Sequence, residues 1–154
     1  QLREDQQRDS EYIRMLSESI VQSFKVNNVA MPAHIVAFTA FSLLEKIHHT
    51  SDLYSILRMP AEFRRIPYNQ FRQSVQQVQE ELVRLEEKED IRLGALATLD
   101  SDELIKYGTK SLGIYHAKKT LLIDKKTKDI ICQDMKTLLF YHNRLKGYGL
   151  EKFV

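Results

Sequence analysis

The side chains able to do chemistry in this chain are few and far apart. There are five histidines (His34, His48, His49, His116 and His142) and a single cysteine, Cys132. His48 and His49 close a predicted helix, where positive charge suits the C-terminal end of the helix dipole, so their expected role is capping. His142 shares an apolar stripe with Met135, Leu138, Leu139 and Leu145, the pattern of a core or interface histidine. Cys132 ends an apolar run with no Arg or His close by in sequence, which predicts an inert buried thiol. One cysteine excludes an internal disulfide, and there is neither a Cys-x-x-Cys nor a paired-His spacing for a metal. No catalytic, cofactor-binding or metal-binding residue is assigned.

Two basic groups are the candidate contact residues. Arg58, Arg64 and Arg65 flank a Pro-bounded loop beside Phe63, a combination suited to anionic lipid headgroups or to the phosphates of coenzyme A. The competing expectation is pairing with local carboxylates such as Glu62. Lys125, Lys126 and Lys128 form the second group, preceded by Lys118 and Lys119; they suit phosphates, or simply solvate the tip of a hairpin and discourage edge pairing.

These residues must be positioned by helices. Ile13, Leu16, Ile20, Val21 and Phe24 step by threes and fours, predicting an amphipathic helix over about 11–26. Pro32 suits a first helical turn, and the helix it opens, to about Ile47, is apolar on nearly every side, which makes it the expected central core helix. Ser51 is the expected cap of a short helix through Leu57 that Pro60 ends. After Pro67, Phe71, Val75, Val78, Leu82 and Leu85 mark the longest helix, with Gln and Glu on its outer face; two heptads favour packing within the chain over a coiled coil.

Asp100 and Glu103 have capping-box spacing and open a helix ending at Gly113, with Leu104, Gly108 and Leu112 facing inward. Gly108 is either a site of close backbone approach or a tolerated glycine. Residues 120–124 and 129–132 read as two strands joined through Lys125–Lys128, and Asp134 caps a last helix that stops at Gly147. The fold class expected is mainly α, a helical domain with one small β-hairpin. The same outline fits a winged helix. In that alternative the long helix would be the recognition helix, but its Gln- and Glu-rich face argues against a phosphate backbone.

The residues from Asn27 to Ala37, in particular Asn27, Val29, Pro32, Ile35, Val36 and Ala37, resemble the opening of the helical C-terminal region of bacterial-type glycerol-3-phosphate acyltransferases. Residues Met135–Leu145, with the aromatic pair Phe140 and Tyr141 before Asn143, are similar to that family's closing helix. The resemblance extends over roughly residues 11–150. It departs at Ala30 and Met31, where the family often has a small hydroxyl residue before the Pro, and at residues 147–151, which replace a more apolar ending.

The resemblance implies a parent enzyme that transfers an acyl group from acyl-CoA or acyl-carrier protein to glycerol 3-phosphate, in phospholipid biosynthesis at the cytoplasmic side of a membrane. The family's catalytic His-x4-Asp pair has no counterpart here. Five positions after the histidines stand Thr39, Leu53, Tyr54, Leu121 and Gly147, while Asp52 follows His48 by one residue too few. The family's Arg- and Gly-containing blocks for glycerol phosphate are also missing. The expectation is an inactive accessory region whose partner is the N-terminal acyltransferase domain of the same chain. The alternative is a stand-alone interaction module, including a winged-helix nucleic-acid binder.

Composition is consistent with one domain. The chain has 154 residues, is 43% hydrophobic and 29% charged, and carries a net charge of +2, too balanced to imply nucleic acid. Residues 1–10 read as a linker remnant without a targeting signal. Residues 11–154 read as one domain, divisible into a helical part, 11–90, and a helix–hairpin–helix part, 91–154. The apolar run Ile35–Leu44 is about half the roughly 20 residues a membrane span needs.

Overall fold

The computed structural model describes Arg8 and residues 28–112 and 119–154. The helix expected over 11–26, Asn27, the Gly113 stop, His116 and Lys118 lie outside the described residues.

Helix α1, Pro32–Ile47, is the centre of the fold: every residue from Pro32 to Leu44 is buried. The sequence expects this, because a helix apolar on all sides needs neighbours on all sides. Helix α3 (Tyr68–Glu87), helix α4 (Ser101–Ser111) and helix α5 (Met135–His142) pack around it. Between α1 and α3 lies the short helix α2, Leu53–Leu57, which packs on α5. Its N-cap is Asp52 rather than the expected Ser51: the Asp52 carboxylate accepts from Ser55 Oγ (2.6 Å), and its own N–H donates to Thr50 Oγ1 (3.1 Å).

The α3 stripe is as expected, with Phe71, Val75, Val78 and Leu82 buried and Leu85 partly buried. Asp100 caps α4 by accepting from the Asp102 N–H, and Asp134 caps α5 by accepting from the Thr137 N–H (3.1 Å). Helix α5 ends at His142, before the expected stop; Gly147, at φ 96°, takes a left-handed conformation in the turns that follow. A single apolar cluster draws residues from both sides of position 90, from Ala30 to Val154.

Among the described residues, five short strands make two small sheets. β1 (Val29–Ala30) and β3 (Arg92–Leu93) run parallel, and β4 (Leu121–Ile123) and β5 (Ile130–Cys132) form the expected hairpin. A third strand, β2 (Arg65–Ile66), completes the hairpin sheet on the β5 side, in antiparallel order β2-β5-β4. The protein is mainly α, and because β2 comes from the segment before α3, this sheet joins the two halves of the chain. Among the described residues, the helix preceding the hairpin is α4, not the long α3.

Candidate functional site

The three arginines on the loop after α2 do not converge. Arg58 lies over the Tyr54 ring, 4.2 Å from its centre. Arg64 donates through Nη1 to the Gln133 carbonyl (2.9 Å), while its buried Nε has no protein partner. Arg65 reaches across the sheet, donating through Nη2 to Asp124 (2.6 Å) and through Nε to Asp129 (3.3 Å). Its partners are thus the two carboxylates bracketing the hairpin turn, with Glu62 taking no part. That arrangement ties β2 to the hairpin and occupies the Arg65 guanidinium.

The hairpin turn is built on Asp124. Its carboxylate accepts from the Lys126 N–H (2.8 Å) and the Thr127 N–H (3.2 Å) as well as from Arg65. The Arg65 guanidinium first, then those two N–H groups, hold the Asp124 carboxyl down at about 2. Lys125, Lys126 and Lys128 are left exposed, with Lys128 in a left-handed conformation (φ 65°).

The histidines of the helices take structural positions. His34, in the first turn of α1, accepts the Met31 N–H on Nδ1 (3.1 Å), and so caps a helix whose N-cap residue has no conventional capping oxygen. Burial, then the neighbouring positive charge of Arg144, lowers its pKa; a backbone hydrogen bond at Val29 works the other way. His142 is packed against two rings of α1, stacking on Phe38 (centroids 4.9 Å, planes 5° apart) and tilted against Phe41 (4.7 Å). Burial lowers the His142 pKa too, and its Nδ1 has no hydrogen-bond partner. His48 Nε2 bonds the Phe63 carbonyl (2.8 Å), which joins the end of α1 to the arginine loop instead of capping α1's own carbonyls. Cys132 is buried, and burial pushes its thiol up to about 12, the unreactive state expected.

One further polar cluster links α3 to α4. Tyr68 donates its hydroxyl to Asp102 (2.6 Å), and Arg72 pairs with the same carboxylate (3.0 Å). Tyr68 is raised to about 12, by burial first and by Asp102 second, while the Tyr68 hydrogen bond is the main cause that lowers Asp102. This cluster orients α4 through its first turn. Among the described residues no group of three or more His, Cys, Asp or Glu side chains could hold a metal, and no helix is long and apolar enough to cross a membrane.

Tertiary structure creates a basic grouping that joins part of the hairpin group, Lys119 and Lys125, to lysines of α4. A groove of about 600 Å³ runs between α4 and β4, bordered by Lys106, Thr109 and Lys110 from the helix and by Lys119, the strand Leu121–Ile123 and Lys125 from the hairpin side. Lys106, Thr109 and Lys110 follow the i, i+3, i+4 spacing of one helix face. That signal is present in the sequence, but nothing in it places this face beside β4.

No known protein family, curated protein or solved structure matches the chain.

Proposed function

We propose that this chain is the non-catalytic, architectural C-terminal region of a glycerol-3-phosphate 1-O-acyltransferase. The observation that carries the reading is where its two blocks of resemblance lie. Residues 27–37 and 135–145 are about a hundred positions apart in sequence, yet α1 and α5 are in intimate contact. His142 lies against Phe38 and Phe41, His34 stacks with Tyr141 (6.0 Å), and the Asn28 amide donates to the Arg144 carbonyl (2.7 Å). Side chains that resemble a family at two separate places are here parts of one packed unit, which is what an architectural role requires.

In this reading the parent enzyme transfers an acyl group from acyl-CoA or acyl-carrier protein to the first hydroxyl of glycerol 3-phosphate at the cytoplasmic face of a membrane. Its His-x4-Asp pair lies N-terminal to Gln1. His34, His48 and His142 are then structural, consistent with the cap, the carbonyl bond and the ring stack they make. Two packed elements, α2 and α5, expose Leu53 (46%), Tyr54 (62%) and Phe140 (65%), and these are the apolar side chains this reading assigns to the catalytic domain.

Deletion tests the role. Removing residues 28–154 from the protein extended upstream to its natural start is expected to abolish stable, membrane-bound acyl transfer. Full activity and membrane association in the truncated protein would overturn the proposal.

A further inference from the structure

We propose that the groove between α4 and β4 binds a single-chain anionic amphiphile, with its alkyl chain along β4 and its headgroup among the lysines. The floor and the rim call for different parts of one ligand. Strand β4 borders the floor: Ile123, 38% exposed, leaves much of its side chain in water, Leu122 is partly buried, and Leu121 is wholly buried in the core. Around that strip stand Lys106, Lys110, Lys119 and Lys125, all exposed, and among the described residues no carboxylate borders the groove.

Two neighbouring acidic side chains are already engaged, while Glu103, three positions before Lys106 on α4, is exposed. Asp124, next to Lys125, is held by Arg65 and by two turn N–H groups, and Asp102, on α4, is held by Tyr68 and Arg72. No ion pair of the four lysines occurs among the described residues. Four cations suit a phosphate or carboxylate head, whereas the accessible apolar parts of Leu122 and Ile123 give nothing to a small hydrated anion. They also disfavour a nucleic-acid backbone, which is held by polar and charged groups along its length. A volume of about 600 Å³ lies within the roughly 300–1,000 Å³ usual for small-ligand sites.

The site stands on these residues alone, so it does not depend on the acyltransferase reading and an acyl-transfer assay does not bear on it. The test is a titration of the whole chain, by calorimetry and by amide NMR, with dodecyl phosphate below its micelle concentration. The comparison ligands are octyl phosphate, dodecyl phosphocholine and inorganic phosphate. Expected are shifts at Leu122 and Ile123, and an affinity at least about tenfold above that of octyl phosphate, from four fewer methylenes in the shorter chain. Dodecyl phosphocholine should bind at least tenfold more weakly, and inorganic phosphate should cause no shift over the same range.

The variant K110Q/K119Q should lose about tenfold in affinity with an unchanged melting temperature, while Lys136→Gln, on α5, should bind as the parent does. Equal binding of the anionic and zwitterionic ligands, or binding indifferent to K110Q/K119Q, would overturn the proposal. Binding of a DNA duplex without any response to dodecyl phosphate would replace it with a nucleic-acid surface. Binding to phosphatidylglycerol vesicles without a response to the monomeric ligand would replace it with a membrane surface.

Discussion

Replacing Gly108 by Ala sets helix propensity against packing, and the structure decides the sign. Alanine is favoured over glycine in a helix interior by about 1 kcal/mol, so on propensity alone Gly108→Ala stabilises α4. A Cβ at this position, however, would lie 2.7 Å from the Pro32 carbonyl oxygen and 2.8 Å from both Val36 methyl carbons. The first is backbone in the opening turn of α1. The second belongs to a β-branched residue with essentially one helical rotamer, so Val36 cannot turn aside. Relief therefore requires moving α1 away from α4 by several tenths of an ångström, at the helix around which the whole core is built. Overpacking of a tight core costs about 1–3 kcal/mol, and two obstructions from a central helix place this site near the upper end.

Subtracting the propensity gain leaves a net loss of about 2 kcal/mol. For a domain of this size that lowers the melting temperature by roughly 4–8 °C. Urea denaturation followed by circular dichroism gives the value directly, and the double variant Gly108→Ala with Val36→Ala should lose at least about 1 kcal/mol less than the sum of the two single losses. A Gly108→Ala protein more stable than its parent by about 1 kcal/mol would refute the close crossing of α1 and α4.

Three other outcomes are expected. His34 and His142 have pKa values lowered by burial, so the unfolded chain binds more protons below about 6.5; their stabilisation is complete above that pH and is lost as pH falls toward the folded values. Each contributes a slope of at most about 1.4 kcal/mol per pH unit; Glu45, raised by burial, works in the opposite direction, so urea midpoints at pH 7.5 and 5.5 in a Glu45→Gln background should fall with acid, and a flat profile would contradict both burials. Carboxyl NMR should place the Asp124 midpoint near 2, moving up toward 3.8 in Arg65→Gln, and an unmoved midpoint would mean that Arg65 does not hold the hairpin turn. Cys132 should react with an aromatic disulfide only as fast as the domain opens, in step with urea concentration; rapid labelling in buffer would contradict its burial.

Much of the fold is legible in the residues because its longer elements announce themselves. Pro32 and an all-round apolar helix fix α1 and its central place, the stripe Phe71–Leu82 fixes the buried face of α3, and Asp100 and Asp134 mark the starts of α4 and α5. The two-residue strands β1, β2 and β3 are too short to show any alternation, so the sheets they complete are visible only in space. Local reading also favours local partners. It offers Glu62 to Arg65, whereas the actual carboxylates, Asp124 and Asp129, are 59 and 64 positions away. It offers Ser51 as a cap where Asp52 serves, and it misses His34, because a cap supplied from inside the first turn follows no usual capping pattern. The lysine-rimmed groove escapes for the same reason as the strands: its walls are separated in sequence and meet only once α4 lies beside β4.

The central claim, an architectural region serving a separate acyltransferase domain, is tested most directly by acyl transfer from acyl-CoA to radiolabelled glycerol 3-phosphate. This chain is compared with the same protein extended upstream to its natural start. Product formed only by the extended protein is the predicted result. Product formed by neither would contradict the account and leave an independent interaction module.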